Sequence, residues 1–193
     1  MDMKKPTVKE LFTIPNLMSY FRILMIPVFC WLYLTAETYE DILWAGAVVL
    51  ISSLTDLFDG KIARRFHQIT DWGKMIDPVA DKLTHGALAL CLVVRWPLMW
   101  ALSALLVVKE GYMAVMGLKF LKKGQMLNGA MWFGKVCTAV LFAGLLVLFL
   151  FPQMPKMAAN GLIIVMMLFM AAALVMYVPV FRKMREEPAE KPQ

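Results

Sequence analysis

Charge is scarce in this 193-residue chain: Asp, Glu, Lys and Arg together make up 18% of it, against 61% hydrophobic residues. Soluble domains carry about 25% charged residues, so this composition excludes disorder and argues against a soluble enzyme. Cysteine is also sparse. Cys30, Cys91 and Cys137 each lie inside an apolar run with no paired spacing, which excludes a disulfide framework and leaves them as packing residues. The only histidines are His67 and His85, too few for a zinc ligand set. His67 falls in a charged loop and is expected to be solvated, whereas His85 stands four residues past Asp81 as a packing residue or a support for it. No basic stretch is interleaved with aromatics, so the net charge of +6 points to membrane orientation and anionic lipid, with no nucleic-acid partner. A cleavable leader is not expected either, because the first apolar run contains Arg22 and lacks a small-residue cleavage site after it.

What the chain has instead is apolar length. Runs at about 17–36, 42–60, 75–95, 97–118, 132–151 and 158–181 are each long enough to cross about 30 Å of hydrocarbon. They are continuously apolar, where a barrel would need alternating segments of about ten residues. The expected fold is therefore all-α: a polytopic integral membrane protein with six transmembrane helices. A short interfacial helix over residues 7–14 (TVKELFTI), ending near Pro15, is expected before the first span. Residues 1–185 read as a single membrane domain and 186–193 as a polar tail. Lys and Arg concentrate before the first span, between spans two and three, between four and five, and in the tail, while the opposite side has Arg95 and Lys156. Both termini are thus expected in the cytoplasm. Trp31, Trp44, Trp96 and Trp100 fall near the outer face as an interfacial belt, and Pro27 and Pro179 lie inside spans as expected kinks.

Charges inside spans are costly unless they face a partner or a polar cavity. Here they cluster. Span two ends on Asp56 and Asp59, at i,i+3, and span three begins with Asp77 and Asp81, at i,i+4. Each spacing puts both carboxylates on one helix face, and adjacent antiparallel helices would bring the pairs together at one membrane interface. Four carboxylates with too few basic neighbours call for hard divalent cations. Mg²⁺ or Mn²⁺ fits, since the calcium-loop pattern is missing, and two ions about 4 Å apart could clamp a phosphoryl group. Gly60 and Ala63 remove bulk beside Asp59, Arg64 can grip a diphosphate, and Gly73 opens space before Asp77.

The pattern Asp56-x2-Asp59-Gly60-x2-Ala63-Arg64-x8-Gly73-x3-Asp77-x3-Asp81 matches the signature of the CDP-alcohol phosphatidyltransferase family at every fixed position. The chain resembles that family from end to end: IPNLMSYFR at the first span, six spans, then KEG, GLK and GKVCT later on. Among its branches it is most similar to the bacterial phosphatidylglycerophosphate synthases. The resemblance implies that an alcohol attacks the β-phosphorus of CDP-diacylglycerol and CMP leaves. It implies that Asp56, Asp59 and Asp77 hold one metal ion and Asp56, Asp77 and Asp81 a second, with Asp81 also accepting the proton of the incoming hydroxyl. Gly60, Ala63, Arg64, Thr70 and Gly73 would hold the cytidine diphosphate portion. It further implies a homodimer and a bacterial inner membrane with the active site facing the cytoplasm.

For the acceptor, the resemblance points to glycerol 3-phosphate, with Arg22, Lys109, Lys119 and Lys135 holding its phosphate. Lys109 and Lys119 depart from the pattern, which has arginine there, and lysine lacks the planar fork that grips phosphate bidentately. Phosphatidylglycerol, giving cardiolipin, and an inositol phosphate are the alternative acceptors. Arg22 also reads as a residue that snorkels to the interface, and Lys122 and Lys123 as surface charges. A membrane cation transporter would account for the aspartates, but not for Gly60, Ala63, Arg64 and Gly73 at their spacings.

Overall fold

The computed structural model describes residues 13–65, 73–122 and 131–186, with side chains placed except at positions 15, 56–65, 74–75, 121–122 and 186. Among these residues every regular element is a helix, with no strand. The helices are α1 (Ile14–Leu34), α2 (Tyr39–Arg65), α3 (Gly73–Val93), α4 (Met99–Lys122), α5 (Trp132–Leu150) and α6 (Lys156–Glu186). They follow the six apolar runs to within a few residues. Four of them, α1, α4, α5 and α6, are long and apolar enough to cross a membrane. The other two carry the aspartate motif, and four of the first ten residues of α3 are charged. The charges that make the motif thus also dilute the apolar signal of its helices.

Local chemistry sets the ends. Pro15 sits in the first turn of α1, where its fixed φ suits helix entry and its missing N–H costs nothing. Pro15 therefore opens α1, and Ile14 belongs to that helix; an interfacial helix over 7–14 otherwise lies outside the described residues. α1 closes at Thr35, whose backbone N–H donates to the Trp31 carbonyl at 3.0 Å. A reciprocal cap starts α2: the Thr38 N–H donates to Asp41 Oδ2 at 2.9 Å, and the Asp41 N–H donates to Thr38 Oγ1 at 3.2 Å. Pro27, Pro78 and Pro179 lie inside α1, α3 and α6, each removing one helical hydrogen bond.

The chain forms two compact units, residues 2–92 with 149–152 and residues 93–148 with 153–193. In the N-terminal unit α1 packs on α2, and Tyr33 stacks on Phe149 with ring centroids 4.1 Å apart. Gly46 of α2 provides room for the Leu150 side chain. In the C-terminal unit α4 packs on α6 through aromatic rings. Phe181 stacks on Phe120 at 5.6 Å and meets Tyr112 edge-on at 5.8 Å, while Tyr177 meets Phe133 at 4.7 Å. The Tyr177 hydroxyl presses against Gly134 of α5, where any larger side chain would collide with it.

Large apolar residues also face outward, among them Leu24, Val94, Val107, Leu168 and Val175, as expected of helices solvated by lipid. Trp31, Trp44 and Trp100 are exposed as a belt requires, but Trp96 is 5% exposed. It lies in the turn before α4, where its carbonyl accepts from the Met99 N–H at 2.9 Å, and folds inward there. Cys91 and Cys137 are buried, Cys30 is half-buried, and all three are free thiols.

Candidate functional site

α2 remains helical through Arg65, so Asp56, Asp59, Gly60, Ala63 and Arg64 are positions on one continuous helix. At about 100° per residue they fall within an arc of about 140°. Their side chains, and Thr70 and His67 altogether, lie outside the described residues. Gly73 is the buried first residue of α3. From it, Asp77 and Asp81 follow at helical spacing one and two turns on, so both carboxylates occupy one face of α3.

That face meets α1. Ser19 Oγ donates a hydrogen bond to Asp77 Oδ1, and Arg22 Nη1 donates to Asp81 Oδ1 as an ion pair. Asn16, Ser19 and Arg22 recur every three residues and are 1%, 0% and 2% exposed, whereas Leu17, Leu24, Val28 and Trp31 of the same helix are exposed. α1 is therefore apolar towards lipid and polar towards α3. Two parallel steps, 19 to 22 along α1 and 77 to 81 along α3, keep the donors opposite the acceptors. Sequence reasoning singled out Arg22 but missed Ser19; the signal was the three-residue recurrence of Asn16, Ser19 and Arg22 inside an apolar run.

The donor chemistry suits a hard cation. Asp77 is half-buried and the Asp81 side chain is 46% exposed although its Arg22 partner is almost fully enclosed, so each carboxylate can still engage a ligand. Among the described residues, no three His, Cys, Asp or Glu side chains stand together. Asp77 and Asp81 are the two motif carboxylates that those residues include.

Of the basic residues expected at an acceptor phosphate, Arg22 belongs to the N-terminal unit and Lys109, Lys119 and Lys135 to the C-terminal unit. Lys109 is 6% exposed, and its Nζ donates to Glu110 Oε1 at 2.6 Å. Cys137 and Tyr177 lie close enough to feel its charge. Lys119 is exposed on α4 and Lys135 on the first turn of α5, next to the buried Gly134.

Comparison with known proteins gives the family. The family model for CDP-alcohol phosphatidyltransferase matches residues 12–179, a stretch that contains the whole aspartate motif. A cardiolipin synthase (CMP-forming) from Streptomyces coelicolor is 37% identical over 106 residues, covering 54% of this chain and 49% of that protein. A CDP-diacylglycerol–glycerol-3-phosphate 3-phosphatidyltransferase from Rickettsia typhi is 41% identical over 80 residues, 42% of this chain and 44% of that one. The Escherichia coli K12 protein of the same name is 32% identical over 131 residues, 66% of this chain and 71% of its own length. The matched stretch thus spans about half the length of the Streptomyces and Rickettsia relatives. With a family match over most of its length and an intact motif on α2 and α3, the chain belongs to the CDP-alcohol phosphatidyltransferase family.

Proposed function

We propose that this protein is a membrane enzyme that transfers the phosphatidyl group of CDP-diacylglycerol to an alcohol, with glycerol 3-phosphate as acceptor. The products are phosphatidylglycerophosphate and CMP. The observation that carries the reading is the complete eight-residue motif on α2 and α3, with Asp77 and Asp81 held by buried polar donors of α1.

In this reading the acceptor hydroxyl oxygen forms a bond to the β-phosphorus as the bond from that phosphorus to the CMP oxygen breaks. Asp81 takes the hydroxyl proton; it suits that role because its carboxylate is half exposed while the guanidinium beside it keeps it oriented. Arg64 grips the diphosphate, and Gly60, Ala63, Thr70 and Gly73 make room for the cytidine portion. Asp56, Asp59, Asp77 and Asp81 would hold two Mg²⁺ or Mn²⁺ ions. When bound, these ions would offset negative charge on the diphosphate as it is displaced.

Arg22, Lys109, Lys119 and Lys135 are proposed to hold the acceptor phosphate. Arg22 presents five N–H donors in a planar fork, a geometry suited to phosphate as well as carboxylate. All six helices span the membrane in this reading, with an interfacial helix before α1. Residues 1–185 form the membrane domain and 186–193 a cytoplasmic tail. The active site and both termini face the cytoplasm, the host membrane is a bacterial inner membrane, and the protein works as a homodimer. The positive charge at the ends of α2, α4 and α6 supports that orientation.

The name of the Streptomyces relative favours a second acceptor, phosphatidylglycerol, which would give cardiolipin. An acceptor screen separates the two. Purified protein with Mg²⁺ and labelled CDP-diacylglycerol is offered glycerol 3-phosphate, phosphatidylglycerol, inositol phosphate or serine, and the lipid product is identified. Metal-dependent CMP release with glycerol 3-phosphate is expected; no release with any acceptor would overturn the reading, and release only with phosphatidylglycerol would replace the acceptor.

A further inference from the structure

The polar face of α1 does more than fill the space beside α3. Ser19 and Arg22 are both fully enclosed, and each donates to an oxygen of a motif aspartate. Their chemistry is opposite in sign for a cation. A serine hydroxyl is neutral: by donating to Asp77 Oδ1 it restrains the carboxylate without compensating its charge. A guanidinium carries a full positive charge and places it against Asp81, where it compensates the carboxylate that a metal ion would otherwise compensate.

We infer that α1 tunes the metal affinity of the aspartate cluster in two opposed ways: Ser19 is a positioning residue that strengthens cation binding through Asp77, and Arg22 is an internal counter-cation that weakens it through Asp81. The inference rests on the proposed assignment of Asp77 and Asp81 as metal ligands. Supporting hydrogen bonds to metal-binding side chains typically contribute 10- to 100-fold in affinity. Ser19 is positioned for such a contribution because its hydroxyl is buried, where neither water nor a neighbouring rotamer can substitute for it. Arg22 acts by charge, and its effect is large because it is enclosed and poorly screened. A cluster that binds its ions moderately can also release its product complex, and this helix holds both controls three residues apart.

The test is Mn²⁺ binding to the full-length protein in detergent, read by electron paramagnetic resonance with no substrate present. Ser19→Ala is expected to weaken Mn²⁺ binding about tenfold or more, and Ser19→Thr, which keeps the hydroxyl, to restore it to within about threefold. In an Asp77→Asn background Ser19→Ala should add no further loss, since Ser19 acts through that carboxylate. Arg22→Gln is expected to tighten binding about tenfold or more, and Arg22→Lys, which keeps the charge, to stay near the parent. Unchanged affinity in Ser19→Ala, or equal losses with and without Asp77, would overturn the role of Ser19. Unchanged or weaker binding in Arg22→Gln would overturn the role of Arg22. If the parent protein binds no Mn²⁺, the assignment of the aspartates as metal ligands falls, and this inference with it.

Discussion

Each unit of this protein buries a cation inside an apolar helix, and each neutralises it differently. In the N-terminal unit Arg22 of α1 pairs with Asp81, 59 residues away on α3. In the C-terminal unit Lys109 of α4 pairs with Glu110, its own neighbour in sequence. Both arrangements keep a charge from standing alone in a low-dielectric setting. The first ties two helices together. The Arg22 contact, with the Ser19 contact one turn before it, fixes the register of α1 against α3 and orients two motif carboxylates. The Lys109 pair leaves helix packing to the rings around Phe181 and to the close approach of Tyr177 to Gly134. Polar contacts thus set the geometry between α1 and α3, and apolar interlocking sets it between α4 and α6.

The largest expected effect removes the chemistry while keeping the contact. Asp81→Asn retains an oxygen that can accept from Arg22 but cannot take a proton, so CMP release should fall about 10² to 10⁴-fold. Activity near that of the parent would break the reading of Asp81 as proton acceptor. Next comes the contrast between the two buried cations. Arg22→Leu leaves Asp81 without its cross-helix partner and should lower stability by about 2 kcal/mol, below the value for fully buried pairs because Asp81 is half solvated. Lys109→Met, whose partner Glu110 at 23% exposed is more enclosed than Asp81, should cost as much or more, about 2–3 kcal/mol. Thermal unfolding in detergent checks both, and an unchanged melting temperature in either variant would show that its pair does not stabilise the fold.

Glycine substitutions sharpen the packing half of the comparison. Gly134→Ala must displace the buried Tyr177 ring, whose Cζ would lie 3.2 Å from the new methyl, at a cost of about 1–3 kcal/mol. Gly111→Ala meets nothing within 4 Å and should be neutral or gain up to about 1 kcal/mol from helix propensity. Similar melting temperatures for these two variants would contradict the packing described for the C-terminal unit.

The smallest effect is at the N-terminus of α2. Donation from the Thr38 backbone N–H and hydroxyl holds Asp41 below its ordinary pKa of 3.8. A depressed carboxylate stabilises the folded state above its unfolded pKa, and that contribution is lost as pH falls through the lower folded value. Between about pH 5 and about pH 3 the parent should therefore lose slightly more stability than Asp41→Asn does. A larger loss in the variant would show that the cap does not depend on the charge.

Much of this was legible beforehand. All six helices lie on the apolar runs, and the motif, complete in the sequence, names the family without any coordinates. Periodicity also explains what was missed. Ser19 is an ordinary residue in an apolar run, and only its position opposite Asp77 gives it a role. Trp96 has the composition of an interfacial residue, yet the turn before α4 carries it inward.

The order of residues by itself determined the class, the helices and the chemistry on offer, because apolar length and fixed carboxylate spacing are local properties. Which donor meets which carboxylate was decided by tertiary structure alone. Helical spacing says that Asn16, Ser19 and Arg22 share a face, but a face has no partner until another helix is packed against it. Once α3 lies there, burial removes water as the competing partner, and a serine and an arginine become part of the aspartate site.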